Sequence, residues 1–139
     1  MKVDEIIKNL PALLGALLVA ILFIQSALDK VFDWKANVEW LKGHFAKTFL
    51  RGMVPPMLAS ITVIELATGV MSTAGLIYFF ITGSVGIIFW AAAVGATGII
   101  ALFFGQRIAK DYPGAATLVP YFILLLILMF LTNPFSNLN

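Results

Sequence analysis

The sequence predicts an all-α integral membrane protein, in which four transmembrane helices form a bundle and an amphipathic interfacial helix lies between spans 1 and 2. Of its 139 residues, 61% are hydrophobic and only 12% are charged, whereas soluble domains are about half apolar and about a quarter charged. Four apolar stretches also approach the roughly 20 residues that a helix needs to cross about 30 Å of hydrocarbon. We therefore expect a single membrane domain over residues 1–139, in contact with the lipid bilayer.

The first span is predicted at residues 10–28, an apolar stretch in which Gln25 and Ser26 are the only polar side chains. Lys2 and Lys8 precede it, as in a secretory signal peptide. The stretch exceeds the ~7–15 apolar residues of such a peptide, however, and no convincing small-residue cleavage site follows. The sequence therefore favours a span that is retained.

The interfacial segment is predicted at residues 34–50. Basic residues occupy one face of this segment, and apolar residues recur at helical spacing on the other. The apolar residues are Trp34, Val38, Leu41, Phe45 and Phe49. Asp33 is predicted as the N-cap, and Gly43 as a break between two shorter pieces. Aromatic and basic side chains on one helix suit the headgroup layer. A lid over a site between the spans, or a docking surface for a partner, is the alternative.

The second span is predicted at residues 56–80. From Met53 to Phe104 the only charged side chain is Glu65, and this stretch is about twice the length of one crossing, so the chain must fold back. Thr82-Gly83-Ser84 is the most turn-prone cluster, although the fold-back could begin as early as Leu76.

The third span is predicted at residues 85–104, with Gly105 as its C-terminal cap, and the fourth at residues 115–131, with Pro120 near its start. Small residues recur four apart in the third span, as Ala91 with Gly95 and Ala92 with Ala96. Such pairs allow close helix packing, either in the core of this chain or against another subunit.

Four spans place both termini on the same side of the membrane. Of the nine lysines and arginines, seven lie in the first and third loops and only Lys2 and Lys8 lie on the side of the termini. The positive-inside rule therefore predicts cytoplasmic loops and periplasmic termini, which a reporter fused at Asn139 would test.

Several function classes are excluded by composition. The net charge of +2 gives no signature of nucleic-acid binding. With no cysteine and with His44 as the only histidine, the chain alone is not expected to ligate haem, an iron–sulfur cluster, zinc or another metal. His44 is expected to be exposed at the interface. Nucleotide-binding and nucleophile-elbow motifs are also missing, so the sequence does not favour an enzyme that acts on its own.

Glu65 is the one candidate catalytic residue. It lies about midway through the second span, where an ionised carboxylate costs at least ~2.5 kcal/mol, so it must be paired, protonated or in contact with water. Thr62 and Thr68 are expected within hydrogen-bonding reach, and Lys30 is the best cationic partner. Two interpretations stay open: a carboxylate that handles protons or orients a ligand, and a buried pair that holds two helices in register.

A polar stripe follows the end of the first span at intervals of four residues, consisting of Gln25, Asp29 and Asp33. Ser26 and Lys30 form the adjacent row. This pattern is typical of a helix end that emerges into water. The alternative is that the stripe faces the bundle and, with Glu65, forms a polar patch that binds a head group or a small polar ligand.

Two segments resemble the DoxX-like family of bacterial membrane proteins. The run Phe23–Asp33 looks like the family's first-span signature, and Glu65-Leu66-Ala67-Thr68-Gly69, followed by Gly75, is similar to its second-span motif. The chain departs from the commoner pattern at Ala27, where many members have glycine. It also has Tyr78 and Phe79 in place of a Thr-Arg pair.

The resemblance implies a four-helix protein of the bacterial inner membrane, with Lys30 and Glu65 as its polar positions. Some relatives serve as the membrane subunit of a thiosulfate:quinone oxidoreductase. We therefore expect a non-catalytic or accessory subunit, assembled with itself or with a larger membrane complex through small-residue faces. The alternative is a quinone-associated oxidoreductase subunit in which Glu65 handles protons; quinone or lipid is then the expected ligand, and a partner or cofactor must supply the electrons.

Overall fold

The computed structural model describes residues 2–135, and Met1 and the tail at 136–139, including Asn139, lie outside this range. The described chain folds into six α-helices and no strand: α1 Val3–Lys8, α2 Leu10–Phe32, α3 Trp34–His44, α4 Val54–Thr82, α5 Gly86–Ile108 and α6 Tyr112–Thr132. Four of them, α2, α4, α5 and α6, are long and apolar enough to cross a membrane. The predicted all-α, four-span fold is confirmed, and the chain is a multi-pass membrane protein.

The four long helices pack in the order α2, α4, α5, α6. Extensive contacts join α2 to α4, α4 to α5 and α5 to α6, whereas α6 touches α2 over a shorter stretch. The core receives side chains from each of the four, including Val19, Phe23, Phe79, Ile88 and Leu125. The weaker contact between α2 and α6 leaves a cleft on that side of the bundle.

Glycine and a buried serine bring α2 and α4 together. A Cβ atom at Gly69 would lie 2.9 Å from the backbone nitrogen of Ile24, so only glycine permits this approach. One turn further along α4, the Ser72 hydroxyl donates a 2.7 Å hydrogen bond to the carbonyl of Ala16 on α2. Close packing and a hydrogen bond between helices replace the hydrophobic driving force that lipid does not supply.

The small residues of α5 lie inside the chain. Ala91, Ala92, Gly95 and Ala96 are all buried, and a Cβ atom at Gly95 would lie 2.8 Å from the Thr68 methyl group on α4. Of the two uses expected for these pairs, the structure shows the intrachain core. The outer surface of the helices is instead rich in large apolar side chains, such as Ile81, Trp90 and Phe104, as contact with lipid requires.

The turn between α4 and α5 is where the polar cluster predicted it. Helix α4 ends at Thr82, and Gly83 adopts a left-handed conformation with φ 77° while its N–H donates to the Phe79 carbonyl. The alternative fold-back at Leu76 is wrong, because no residue breaks the helix before Gly83. Helix α4 also begins two residues before the predicted 56–80, since its early prolines occupy first-turn positions that need no N–H partner.

Two span ends were predicted too early. Helix α2 continues past residue 28 to Phe32, because no helix-breaking residue follows Leu28. Helix α5 likewise continues through Gly105 to Ile108, so the prediction of Gly105 as a cap is wrong. Gly105 instead lies beneath the aromatic ring of Phe45, where a Cβ atom would lie 3.6 Å from the ring.

The start of α6 was predicted too late. The helix begins at Tyr112, and the Asp111 carboxylate caps it by accepting a 2.9 Å hydrogen bond from the backbone N–H of Gly114. Pro120 therefore lies inside the helix, eight residues after Tyr112, and not near its start.

The interfacial helix α3 is shorter than the predicted segment 34–50, because turns replace the helix from Phe45 onward. Gly43 does not divide it. Asp33 occupies the N-cap position, but its side chain makes no capping hydrogen bond. The apolar side of α3 and of the following turns packs against the bundle, where Phe45 and Leu50 are buried. Phe49, by contrast, is 75% exposed, since the helical spacing ends before it.

Candidate functional site

The predicted pair between α2 and α4 is present. Glu65 is the twelfth residue of α4 and is only 4% exposed. The Lys30 ammonium, near the end of α2, lies 3.0 Å from Glu65 Oε2 and donates a 3.2 Å hydrogen bond to Oε1. A cation on a long apolar stem thus meets the buried carboxylate, as the cost of an unpaired charge at this depth requires.

Within the described residues, Lys30 forms a further hydrogen bond and Glu65 does not. Lys30 also donates a 2.8 Å hydrogen bond to the Ser26 hydroxyl. Glu65 gains no hydrogen bond from Thr62 or Thr68, contrary to the prediction, because each threonine hydroxyl donates to the carbonyl four residues earlier in its own helix. Glu65 Oε2 is buried and has no aligned donor within residues 2–135, so the carboxylate retains unused acceptor capacity.

A cavity of about 210 Å³ lies beside the pair, between α2, α4, α5 and α6. Its polar wall is formed by Ser26, Lys30 and Glu65. Its other walls are largely apolar and include Phe23, Ile99, Leu102 and Leu118, with Tyr121 adding a phenol ring. The four helices thus give the cavity one polar wall and several apolar walls, at the cleft that the weak contact between α2 and α6 leaves.

The rest of the predicted polar stripe lies elsewhere. Gln25 and Asp29 are exposed and line an outward groove between α2 and α4. The alternative in which they face the bundle is therefore wrong, and they follow the pattern of a helix end with outward polar side chains. Successive helical residues are rotated by about 100°, so the row of Ser26 and Lys30 faces Glu65 while the neighbouring row faces outward. Of the predicted polar patch, Ser26, Lys30 and Glu65 line the cavity.

His44 fixes the end of α3 against the bundle. Its side chain is only 15% exposed, and its Nε2 atom lies 2.7 Å from Gln106 Oε1 on α5 and 3.8 Å from Asp111 Oδ2. Its ring also stacks on Trp40 at 4.7 Å between centroids. The prediction of an exposed histidine is wrong, because α3 packs on the protein and turns His44 towards α5.

Helix α3 covers a second cavity. This cavity has a volume of about 140 Å³, and its lining includes Lys30, Leu41, Phe45 and Gln106. Lys30 therefore borders both cavities. Most of the cavity walls were not predictable from the sequence, because the apolar residues of α5 and α6 that form them resemble lipid-facing residues. Gln106, a polar residue near the end of a span, was the one signal in the sequence that could have indicated this second cavity.

The pair combines opposite charges in an apolar setting. Lys30 offers N–H donors and Glu65 offers carboxylate acceptors, so the site suits the polar end of a small amphipathic molecule. Within residues 2–135, no group of three histidine, aspartate or glutamate side chains is placed to hold a metal ion. No family model, no curated protein and no solved structure matches the chain. The geometry around Glu65 is therefore the basis for a functional assignment.

Proposed function

We propose that this chain is a non-catalytic accessory protein of the bacterial inner membrane that binds an amphipathic molecule in the cavity beside Lys30 and Glu65. The observation that carries the proposal is Glu65 itself: it is 4% exposed, borders an apolar-walled cavity, and has one aligned hydrogen-bond donor for its two oxygens. The second oxygen, Oε2, lies 3.0 Å from the Lys30 ammonium but accepts no aligned hydrogen bond, whereas a purely structural pair would gain from complete hydrogen bonding of its buried acceptors.

The position of the cavity supports a ligand that arrives through the lipid. The α2–α6 cleft lies on the side of the bundle with the weakest helix contacts, and Tyr121 both lines the cavity and is 39% exposed. A molecule with a polar end and an apolar body would place the former at the ion pair and the latter between α2 and α6. Membrane lipids and quinones both have this construction.

Native mass spectrometry of the full chain in a gentle detergent tests the binding function. We expect a small amphipathic molecule to remain bound to the wild-type chain and to be lost from Leu118→Trp, which fills the cavity with a larger side chain. Leu126→Trp is the matched control, because Leu126 is on the same helix but is 45% exposed and does not line the cavity. A bare wild-type chain, or equal retention by the two variants, would contradict the proposal.

The orientation and the assembly belong to the same proposal. Seven of the nine basic residues lie on the side of the bundle where α2 and α5 end, five of them after those helices and two, Lys30 and Arg107, in their last turns. This distribution supports cytoplasmic loops and periplasmic termini. A reporter at the C-terminus that is active only in the cytoplasm would overturn this orientation. The same native mass spectra report whether the chain forms a homo-oligomer or belongs to a larger complex.

A second candidate is a quinone-associated subunit of an oxidoreductase of the thiosulfate:quinone type. It is favoured by the contact between an ammonium group and a carboxylate at one cavity wall, and by the resemblance of Phe23–Asp33 to the DoxX-like signature. Lys30 would hold a ring oxygen and Glu65 would hold or release a proton. A bound quinone supplies the electron-accepting chemistry, and a partner must deliver the electrons.

The two candidates differ in what Glu65→Gln does. For the quinone-linked subunit, we expect the variant to fold and assemble but to lose electron transfer to quinone, because the amide cannot exchange the proton. For the accessory protein, assembly and the activity of any partner enzyme should persist. Measurement of quinone reduction by the native complex, with Asp29→Asn as a charge control on the outward face of α2, separates them.

A further inference from the structure

We propose that the cavity beside Lys30 and Glu65 selects a neutral head group bearing a hydroxyl, an alcohol or a phenol, which donates to the Glu65 carboxylate and accepts from the Lys30 ammonium. This inference rests on the proposed binding function and names the chemistry of its ligand.

The charge of the site favours a neutral ligand. Lys30 Nζ and Glu65 Oε2 are 3.0 Å apart, so the pair carries no net charge. Gln25 and Asp29, the nearest other polar residues on α2, face the outward groove and do not line this cavity. An anionic head group that approached Lys30 would be repelled by Glu65, and a cationic head group that approached Glu65 would be repelled by Lys30. In an apolar cavity, a third charge without a partner is costly.

The hydrogen-bonding capacity of the pair favours a hydroxyl. Lys30 has three N–H donors and uses two of them in hydrogen bonds to the Ser26 hydroxyl and to Glu65 Oε1. Glu65 receives one aligned hydrogen bond although an ionised carboxylate accepts several. Lys30 Nζ also lies 3.0 Å from Glu65 Oε2, but no aligned hydrogen bond joins them, so one N–H and at least one carboxylate lone pair remain without an aligned partner at the same point. A hydroxyl group satisfies both, whereas an ether or a carbonyl oxygen can only accept.

The cavity volume favours a head group built on a single ring or a short branched chain. At about 210 Å³, the cavity exceeds the ~150 Å³ of an apolar cavity that binds benzene. Phe23, Ile99 and Leu102 supply apolar walls. Tyr121, 39% exposed, marks the rim from which an alkyl tail would leave between α2 and α6.

Three probes test the inference on the full chain in lipid nanodiscs: 4-hexylphenol, its methyl ether 4-hexylanisole, and 4-hexylphenyl phosphate. Calorimetric titration, with empty nanodiscs subtracted, gives the affinity of each. A hydrogen bond to a charged group contributes about 1.5–3 kcal/mol, and each 1.4 kcal/mol is tenfold in affinity. We therefore expect the phenol to bind about tenfold to one-hundredfold more tightly than the ether, and the phosphate to bind more weakly than the phenol.

Two cavity variants locate the binding. Leu118→Trp should abolish phenol binding, and Leu126→Trp, on the exposed face of α6, should preserve it. Equal affinities for phenol and ether that Leu118→Trp abolishes would overturn the hydroxyl inference and leave the binding function standing. Tightest binding of the phosphate would also overturn the inference, in favour of an anionic head group. Failure of all three probes to bind the wild-type chain would overturn the binding function as well.

Discussion

Removal of one member of the Lys30–Glu65 pair should destabilise the protein, and the two removals should be unequal. Lys30→Met leaves Glu65, 4% exposed, with no hydrogen-bond donor in the described chain. Loss of one partner from a buried ion pair costs about 3–5 kcal/mol. Glu65→Gln leaves a lysine whose side chain is 22% exposed and still bonded to Ser26, so we expect a smaller loss of about 1–3 kcal/mol.

The double variant Lys30→Met/Glu65→Gln should cost clearly less than the sum of the single variants, because no charge is then left unpaired. Groups in direct contact typically couple by about 0.5–3 kcal/mol, and we expect a value in the upper half of that range. The free energy of unfolding is measured by titration with sodium dodecyl sulfate in mixed micelles. The fluorescence of the three tryptophans and far-ultraviolet circular dichroism report the transition.

Asp29→Asn is the control for removal of a charge from the same helix. Asp29 is exposed and forms no ion pair within residues 2–135, so its replacement should change the free energy of unfolding by no more than about 0.5 kcal/mol. Additive single losses, or single variants as mild as Asp29→Asn, would refute the reasoning that the pair is buried and coupled.

Three further predictions test the packing of the bundle. Gly69→Ala places a methyl group against the backbone of α2 and should lower the free energy of unfolding by about 1–3 kcal/mol. Gly52→Ala is its control, because nothing lies within 4 Å of the new Cβ atom, and it should be nearly neutral in the same unfolding titration. Ser72→Ala removes the hydrogen bond between α4 and α2 and should lower the free energy of unfolding by about 0.5–1.5 kcal/mol. Ser60→Ala is its control, because it removes only a hydrogen bond within α4 on an exposed face. An equal loss of stability in Ser60→Ala would contradict the role of the interhelical bond. His44→Phe keeps the aromatic stacking but loses the hydrogen bond to α5, so amide hydrogen exchange in α3 should accelerate while exchange in α4 stays unchanged.

The sequence predicted the pair for a physical reason that needs no structure. A carboxylate at the depth of Glu65 requires a partner, and Lys30 was the cation whose stem could reach it. The turn at Gly83 was predictable for a similarly local reason, because a polar cluster with a glycine interrupts a long apolar run. Such signals depend on one or two residues and do not depend on how the helices are arranged.

The rotation of each helix about its axis was not predictable. In a soluble helix the polar side identifies the solvent face, but in lipid the outer and inner faces are both apolar. The sequence therefore did not show that the row containing Gln25 faces outward while the row containing Lys30 faces inward. The cavity walls from Ile99 and Leu118 were hidden for the same reason. His44 was misplaced because nothing in the sequence showed that α3 packs on α2 and α4, from where the His44 side chain reaches Gln106 on α5.

The three-residue turn between α4 and α5 has a consequence for how the chain is inserted into the membrane. Between Glu65 and Arg107 the sequence contains no charged residue, so the end of the hairpin can cross the hydrocarbon without the ~2.5–3.5 kcal/mol that each lysine, arginine or aspartate would add at the bilayer centre. Helices α4 and α5 can therefore enter the bilayer together as one hairpin. A single lysine placed at Ser84 should slow that step and leave the finished bundle unchanged.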